Sequence, residues 1–280
     1  MVTFMKEHIV KEGTFIPKTG INYPEKPDEF IYQPVFIKER KTVDENYPFE
    51  DKSFFAKFRH FIIYTAIFTA VFALHPFVYG LRIKGKENIR KNRKLFKNGA
   101  ITICNHVYKW DFLAVLQAVK YRALTCPARS DLAFTKDAFQ VLGAGGIPLP
   151  ETISAAKKFN ETFDNIHAKK KWIHIFPEAC RWDFYQPIRP FKFGAFSFAY
   201  RYEIPVIPMV ITYRPRTGFY KIFRKRKNDP LITLTIGKPI LPDMTQPRKH
   251  SSQKMLEEAH AWMEQAAGIE QNCWESLSKD

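Results

Sequence analysis

The sequence predicts an α/β fold, a single sheet with helices packed on it. Two observations carry that reading. From residue 83 onward, short apolar runs of β type alternate with longer stretches of helical period. The 280 residues, 45% hydrophobic and 15% aromatic, suffice for one large domain, or one domain with an extension. Alternation of this kind layers helices around a largely buried sheet. No internal repeat is visible.

Residues 1–52 read as a Pro-rich N-terminal arm without a core of its own, punctuated by Pro17, Pro24, Pro27, Pro34 and Pro48. Its aromatics, Phe15, Tyr23, Phe30, Tyr32 and Phe36, are more than a disordered segment carries, so the arm is expected to lie against the main domain. Met1–Glu7 lacks the apolar run of a signal peptide.

Residues 53–82 are expected to form a membrane-associated helix. Phe61–Leu74 is the most apolar stretch, and the 22 residues between Arg59 and Arg82 contain no Asp, Glu, Lys or Arg. As a helix they would reach roughly 30 Å, about the thickness of a hydrocarbon core. Pro76 and Gly80 argue against one unbroken helix. Lys57, Arg59 and His60 lie before the stretch, and Arg82, Lys84 and Lys86 after it. Basic residues at both ends keep both on the cytosolic side. The expectation is a helix embedded in one leaflet or re-entrant, on the cytoplasmic face of the cell membrane; the competing reading is a buried core helix.

Residues 83–280 hold the αβ domain. Strands are expected at Leu81–Lys84, Ala100–Cys104, Leu124–Ala128, Lys171–Phe176, Val206–Thr212 and Ile232–Ile236. Helices are expected at Phe112–Lys120, Lys136–Leu142, Thr152–Lys169, Phe193–Tyr202 and Ser251–Ala267, the last with Met255, Ala259, Trp262 and Met263 facing the core.

The net charge of +16 predicts an anionic partner: lipid headgroups, a phosphorylated substrate, an acidic carrier or nucleic acid. The basic residues are spread along the chain without a nucleic-acid motif, so nucleic acid is not expected. Arg214-Pro215-Arg216 and Lys221–Lys227 mix cations with apolar residues and suit an anionic membrane surface. Cys104, Cys126, Cys180 and Cys273 have neither metal-ligand spacing nor a paired framework, so they read as free thiols, and no metal is expected.

The chemistry concentrates in Asn105-His106-Val107-Tyr108-Lys109-Trp110-Asp111, between a strand and a helix. Across a tight turn the Asp111 carboxylate can accept from one ring nitrogen of His106, leaving the other to take a proton from a hydroxyl. The plainer reading makes Asp111 a helix N-cap. A second strand ends in Phe176-Pro177-Glu178-Ala179-Cys180-Arg181, where the guanidinium could clamp a phosphate. Lys136 precedes the glycine loop Gly143–Pro150, which lacks the Gly-Lys-Ser/Thr ending of a nucleotide-binding loop. Its glycines allow either close approach to a ligand or tight packing. Lys192, near the start of a helix, could meet an anion.

The ordered set Asn105-His106-x4-Asp111, Lys136 with its glycine loop, Phe176-Pro177-Glu178-x-x-Arg181 and Ile204-Pro205-Val206-Ile207-Pro208 resembles the glycerolipid acyltransferases of the 1-acylglycerol-3-phosphate type, over roughly residues 60–240. The resemblance implies a single αβ acyltransferase domain with an N-terminal membrane-embedded helical element. It implies an acyl-CoA or acyl-carrier-protein donor, a lysophospholipid acceptor and no further cofactor. It makes His106 the general base and Asp111 its orienting acid. Lys136 becomes a phosphate ligand, and Glu178 and Arg181 the acceptor-binding motif. Two departures stand out. Ala179-Cys180 replaces the usual Gly-Thr. Pro148-Leu149-Pro150-Glu151 lacks the expected Arg, so Lys192 or Arg189 would substitute for it, or the acceptor differs. A catalytically silent, basic membrane-binding protein on the same fold is the rival of another class.

Overall fold

The computed structural model describes residues 8–31, 41–120, 122, 124–223 and 229–274. Met1–Glu7, Tyr32, Pro34, Phe36 and the basic run Arg224–Lys227 lie outside the described residues. The chain opens with β1 (Ile9–Val10) and reaches α1 (Phe54–Ala66), a π-helical turn at Ile67–Val71 and α2 (Phe72–Val78). There follow β2 (Arg82–Lys84), α3 (Lys86–Lys91), β3 (Ile101–Cys104), α4 (Asp111–Ala118), β4 (Leu124–Ala128), α5 (Ala138–Gly143) and β5 (Gly146–Pro148). Then come α6 (Ile153–Ala168), β6 (Trp172–Ile175), α7 (Gly194–Tyr202), β7 (Val206–Arg214), β8 (Leu231–Ile236), α8 (Arg248–Ala267) and β9 (Ile269–Gln271).

Seven strands form one mixed sheet in the order β2-β8-β7-β3-β6-β4-β5. β7, β3, β6, β4 and β5 run parallel, and β8 is antiparallel to β7. β3 lies at the centre and is buried along its whole length. Its Ile101 and Ile103 pack with α6, α7 and α8, while Cys104 packs with α4 on the other face, the two-residue alternation of a strand covered on both sides.

The apolar stretch 53–82 is not one helix. Ser53 caps α1, its hydroxyl accepting the Ala56 N–H at 3.1 Å. The π-turn and Pro76 inside α2 then interrupt the regular hydrogen-bond ladder. Among the described residues no helix is long and apolar enough to cross a membrane. Nor is the stretch a buried core helix. Phe54 is 83% exposed, and Phe58, Phe61, Phe68, Leu74 and Phe77 also face outward. The opposite side docks on the domain: the Leu124 N–H donates to Tyr64 Oη at 3.3 Å, and the His60 ring donates to the Gly143 carbonyl at 2.9 Å.

That docking explains the glycine loop. A Cβ on Gly143 would meet Ile63 at 2.6 Å, and one on Gly145, where φ is +97°, would meet the Leu124 carbonyl at 2.2 Å. The glycines serve packing, and part of the expected loop is strand β5. The described part of the arm lies across the domain. β1 pairs with β9, Tyr23 stacks on Trp182 at 5.8 Å, and Val43 and Glu151 exchange hydrogen bonds.

Candidate active site

Because β3, β6 and β7 are parallel, their C-terminal ends share one edge, where ligand crevices of α/β sheets form. The Asn105 amide continues the β3–β7 pairing one residue past the strand. It donates to the Ile211 carbonyl at 3.0 Å and accepts the Ile211 N–H at 2.8 Å. With the chain pinned there, His106 turns out of the sheet.

His106 Nδ1 lies 2.7 Å from Asp111 Oδ2. The same oxygen receives the N–H groups of Val107 and Tyr108 at 3.2 and 3.3 Å, and Oδ1 receives that of Phe112 at 2.7 Å. A carboxylate there holds the proton on Nδ1 and leaves Nε2 basic. The side chain of Asp111 is 2% exposed against 23% for His106, so the acid is enclosed and the imidazole reaches solvent. The N-cap reading of Asp111 is corrected. The cap position belongs to Trp110, which makes no capping bond, and Asp111 is the first helical residue with its carboxylate folded back over the turn. The imidazole lies flat on Phe176, ring centroids 4.0 Å apart at 15°.

The loop after β6 braces this turn from behind. Trp182 and Phe184 donate their N–H groups to the carbonyls of His106 and Val107 at 2.9 and 2.7 Å. Glu178 Oε2 accepts the His106 N–H at 3.0 Å and an Arg189 guanidinium N–H at 2.9 Å, while Oε1 accepts the Arg189 backbone N–H at 3.0 Å. Both side chains are wholly enclosed. Arg189 also donates to the carbonyls of Pro27 and Cys180 and stacks on Trp182 at 4.5 Å.

Two expectations change accordingly. Glu178, expected against the acceptor, spends its carboxylate on internal donors and holds the backbone of His106. Arg189 has no route to a phosphate, because burial of an unpaired charge is so costly that the guanidinium is bound to Glu178 and two carbonyls. Arg181 is partly exposed, with Nε 2.9 Å from Asp183 Oδ1. Lys192 is exposed, with Nζ 3.5 Å from Asp28 Oδ2 on the arm. Lys136 is exposed between a 3-10 turn at Ser130–Phe134 and α5, joined to none of these residues by a hydrogen bond or ion pair.

Sequence reasoning assigns no role to Asn105, Phe176 or Arg129. Asn105 and Phe176 adjoin motif residues, and that adjacency is the available signal. Arg129 follows β4 at the same edge, pairs with Asp131 at 2.6 Å and carries Phe30 at 4.7 Å, contacts with no sequence signature. Cys180 is buried and donates to the Asp28 carbonyl, and burial raises its thiol pKa, which disfavours the thiolate.

Ala179 sits at φ +64°, a conformation that costs a residue with a Cβ and suits glycine. Ala179→Gly is therefore expected to raise stability by about 1 kcal/mol. A lower denaturation midpoint than the parent would refute the strain.

Behind Phe176, His174 is fully buried, its Nδ1 2.9 Å from Thr102 Oγ1 and its Nε2 without a partner. Burial, then the nearby His106, pushes its pKa down to about 3 from 6.5. The folded state thus resists a proton that the unfolded chain accepts below pH 6.5. Stability is full above that value and falls as pH drops toward 3. At pH 5 the loss is about 2 kcal/mol. His174→Gln should flatten the fall in melting temperature between pH 7 and 5, and a parallel fall in both proteins would remove His174 as the cause.

The Acyltransferase family model matches residues 80–212, from just before β2 into β7, a range that includes both motif turns. The chain is also similar to the crystal structure of the 1-acyl-sn-glycerophosphate (LPA) acyltransferase PlsC from Thermotoga maritima. The two share 18% identity over 76% of this chain and 84% of that one, with a TM-score of 0.46.

Proposed function

We propose that this chain, whose residues 80–212 match the Acyltransferase family model, moves a fatty acyl group from a thioester onto the hydroxyl of 1-acylglycerol-3-phosphate. The donor is acyl-CoA or acyl carrier protein and the product is phosphatidic acid. The reading rests above all on the His106–Asp111 pair at 2.7 Å, its imidazole open to solvent at the sheet edge inside the matched range.

His106 Nε2 takes the hydroxyl proton as the acceptor oxygen attacks the thioester carbonyl. The tetrahedral intermediate expels the thiolate, which collects the proton from the imidazolium. Asp111 keeps the ring in the required tautomer and stabilises its charged form. The acceptor alcohol attacks directly, so no Ser or Cys nucleophile is needed. Glu178 and Arg189 support the turn without touching substrate. Lys136, Arg181 and Lys192 are the cations proposed for the acceptor phosphate, and Arg129 joins them at the same edge. Their task is orientation.

The outward phenylalanines of α1 and α2 support membrane association, and the basic residues flanking that stretch support the cytoplasmic face of an anionic membrane, where a lysophospholipid acceptor resides. The test is a donor-by-acceptor screen of the purified chain in mixed micelles, with lysophosphatidate beside glycerol-3-phosphate, dihydroxyacetone phosphate and other lysolipids. Fastest acylation of lysophosphatidate supports the proposal. Preference for another acceptor moves the substrate and keeps the chemistry, and no turnover with any pair rejects the reading for that of a silent membrane-binding platform.

A further inference from the structure

β7 leaves the sheet at the edge where His106 emerges, and the chain then makes one 3-10 turn, Gly218–Ile222. Phe219 is 59% and Ile222 61% exposed. Phe219 is not a stray surface ring, since it packs with Tyr220 at 5.8 Å and Phe223 at 5.9 Å. The turn is also held firmly. Tyr220 Oη donates to the Pro76 carbonyl at 3.2 Å, and Arg216 donates to the carbonyls of Val78 at 3.0 Å and Tyr220 at 3.3 Å. Gly80 makes room for it, since a Cβ there would lie 3.2 Å from the Tyr220 ring. The turn is thus fastened to the end of α2, whose Leu74 and Phe77 already face outward.

The charges around it are mostly basic, with Asp229 beyond the basic run, its carbonyl accepting from Arg216 at 2.9 Å. Lys221 within the turn, and Arg82 and Lys109 at the same edge of the sheet, are exposed. From Arg214 to Lys227 the sequence holds seven basic residues and no acid. Exposed apolar side chains ringed by cations fit the boundary of an anionic bilayer, where rings enter the acyl region and cations stay among headgroups. A basic patch for nucleic acid or an acidic protein needs no protruding Phe and Ile.

We propose that Gly218–Ile222 is a second lipid-contact element, separate from α1 and α2, which inserts Phe219 and Ile222 into an anionic leaflet and turns the His106 edge toward it. The inference rests on the membrane association proposed above. The experiment uses the full chain with vesicles of neutral lipid and vesicles containing about one third anionic lipid. F219S/I222S is compared with F58S/F61S on α1, and Phe219→Trp serves as a fluorescent reporter. F219S/I222S should bind anionic vesicles at least tenfold more weakly while keeping the parent's melting temperature and its activity on short-chain substrates free in solution. The emission of the added indole, taken as the difference between Phe219→Trp and the parent, should shift to the blue on vesicles and be quenched by brominated lipid. If F219S/I222S binds like the parent while F58S/F61S does not, this inference fails and membrane association stands. If the parent binds neither vesicle, both fail and the face belongs to another partner. An unshifted, unquenched difference signal from bound Phe219→Trp protein also overturns the inference.

Discussion

His106→Ala is expected to lower kcat by about 10³ or more, the loss that follows removal of a positioned general base. The side chain is partly exposed and its backbone carries the contacts to Glu178 and Trp182, so the fold should survive. Melting temperature and vesicle binding should stay at the parent's values while turnover disappears. Asp111→Asn tests the second half of the pair. An amide keeps the shape but can present its NH2 group to Nδ1, favouring the tautomer with the proton on Nε2. A fall in kcat of roughly 10²–10⁴ is expected, with a smaller change in KM. His106→Ala with near-normal acyl transfer would remove the imidazole from the mechanism, whatever family the domain belongs to.

The second large effect concerns stability. Arg189→Met should cost about 3–5 kcal/mol, because it leaves the Glu178 carboxylate enclosed without its cation. The double variant Glu178→Gln/Arg189→Met should recover part of that loss by removing the orphaned charge. Denaturant unfolding of the parent, both single variants and the double variant measures the coupling. A cost below about 1 kcal/mol for Arg189→Met would show that water reaches the pair and that it is not a structural brace. The pair matters to chemistry as well, since Glu178 holds the N–H of His106. Arg189→Lys, which keeps the charge but cannot reproduce the guanidinium's several bonds, should lower kcat more than it raises KM.

Much of the sheet is legible because its strands are short apolar runs set between helical stretches. That alternation locates six of the seven large-sheet strands to within a few residues. It misses β5, since three residues beginning with a glycine carry no strand period. It misses the small β1–β9 pair because the two members lie 259 positions apart and mean nothing until they meet. α3, a six-residue helix of mostly charged residues, offers no apolar stripe to read. The interruption of the apolar stretch is legible at Pro76, whereas the π-turn before it is not.

What the sequence offered unaided is the pairing of His106 with Asp111 beside the rival N-cap reading, because a turn of five residues leaves the two side chains few arrangements, and the structure chose between them. It also determined the α/β layering, because the apolar period is a local property of the chain. What only the tertiary structure decided is the work of Glu178, Arg189 and Asn105. Each is a polar side chain whose hydrogen-bonded nitrogen and oxygen partners lie between 9 and 162 residues away along the chain. Its role follows from burial, which forces every donor and acceptor to be matched, and burial belongs to the assembled sheet rather than to any stretch of sequence.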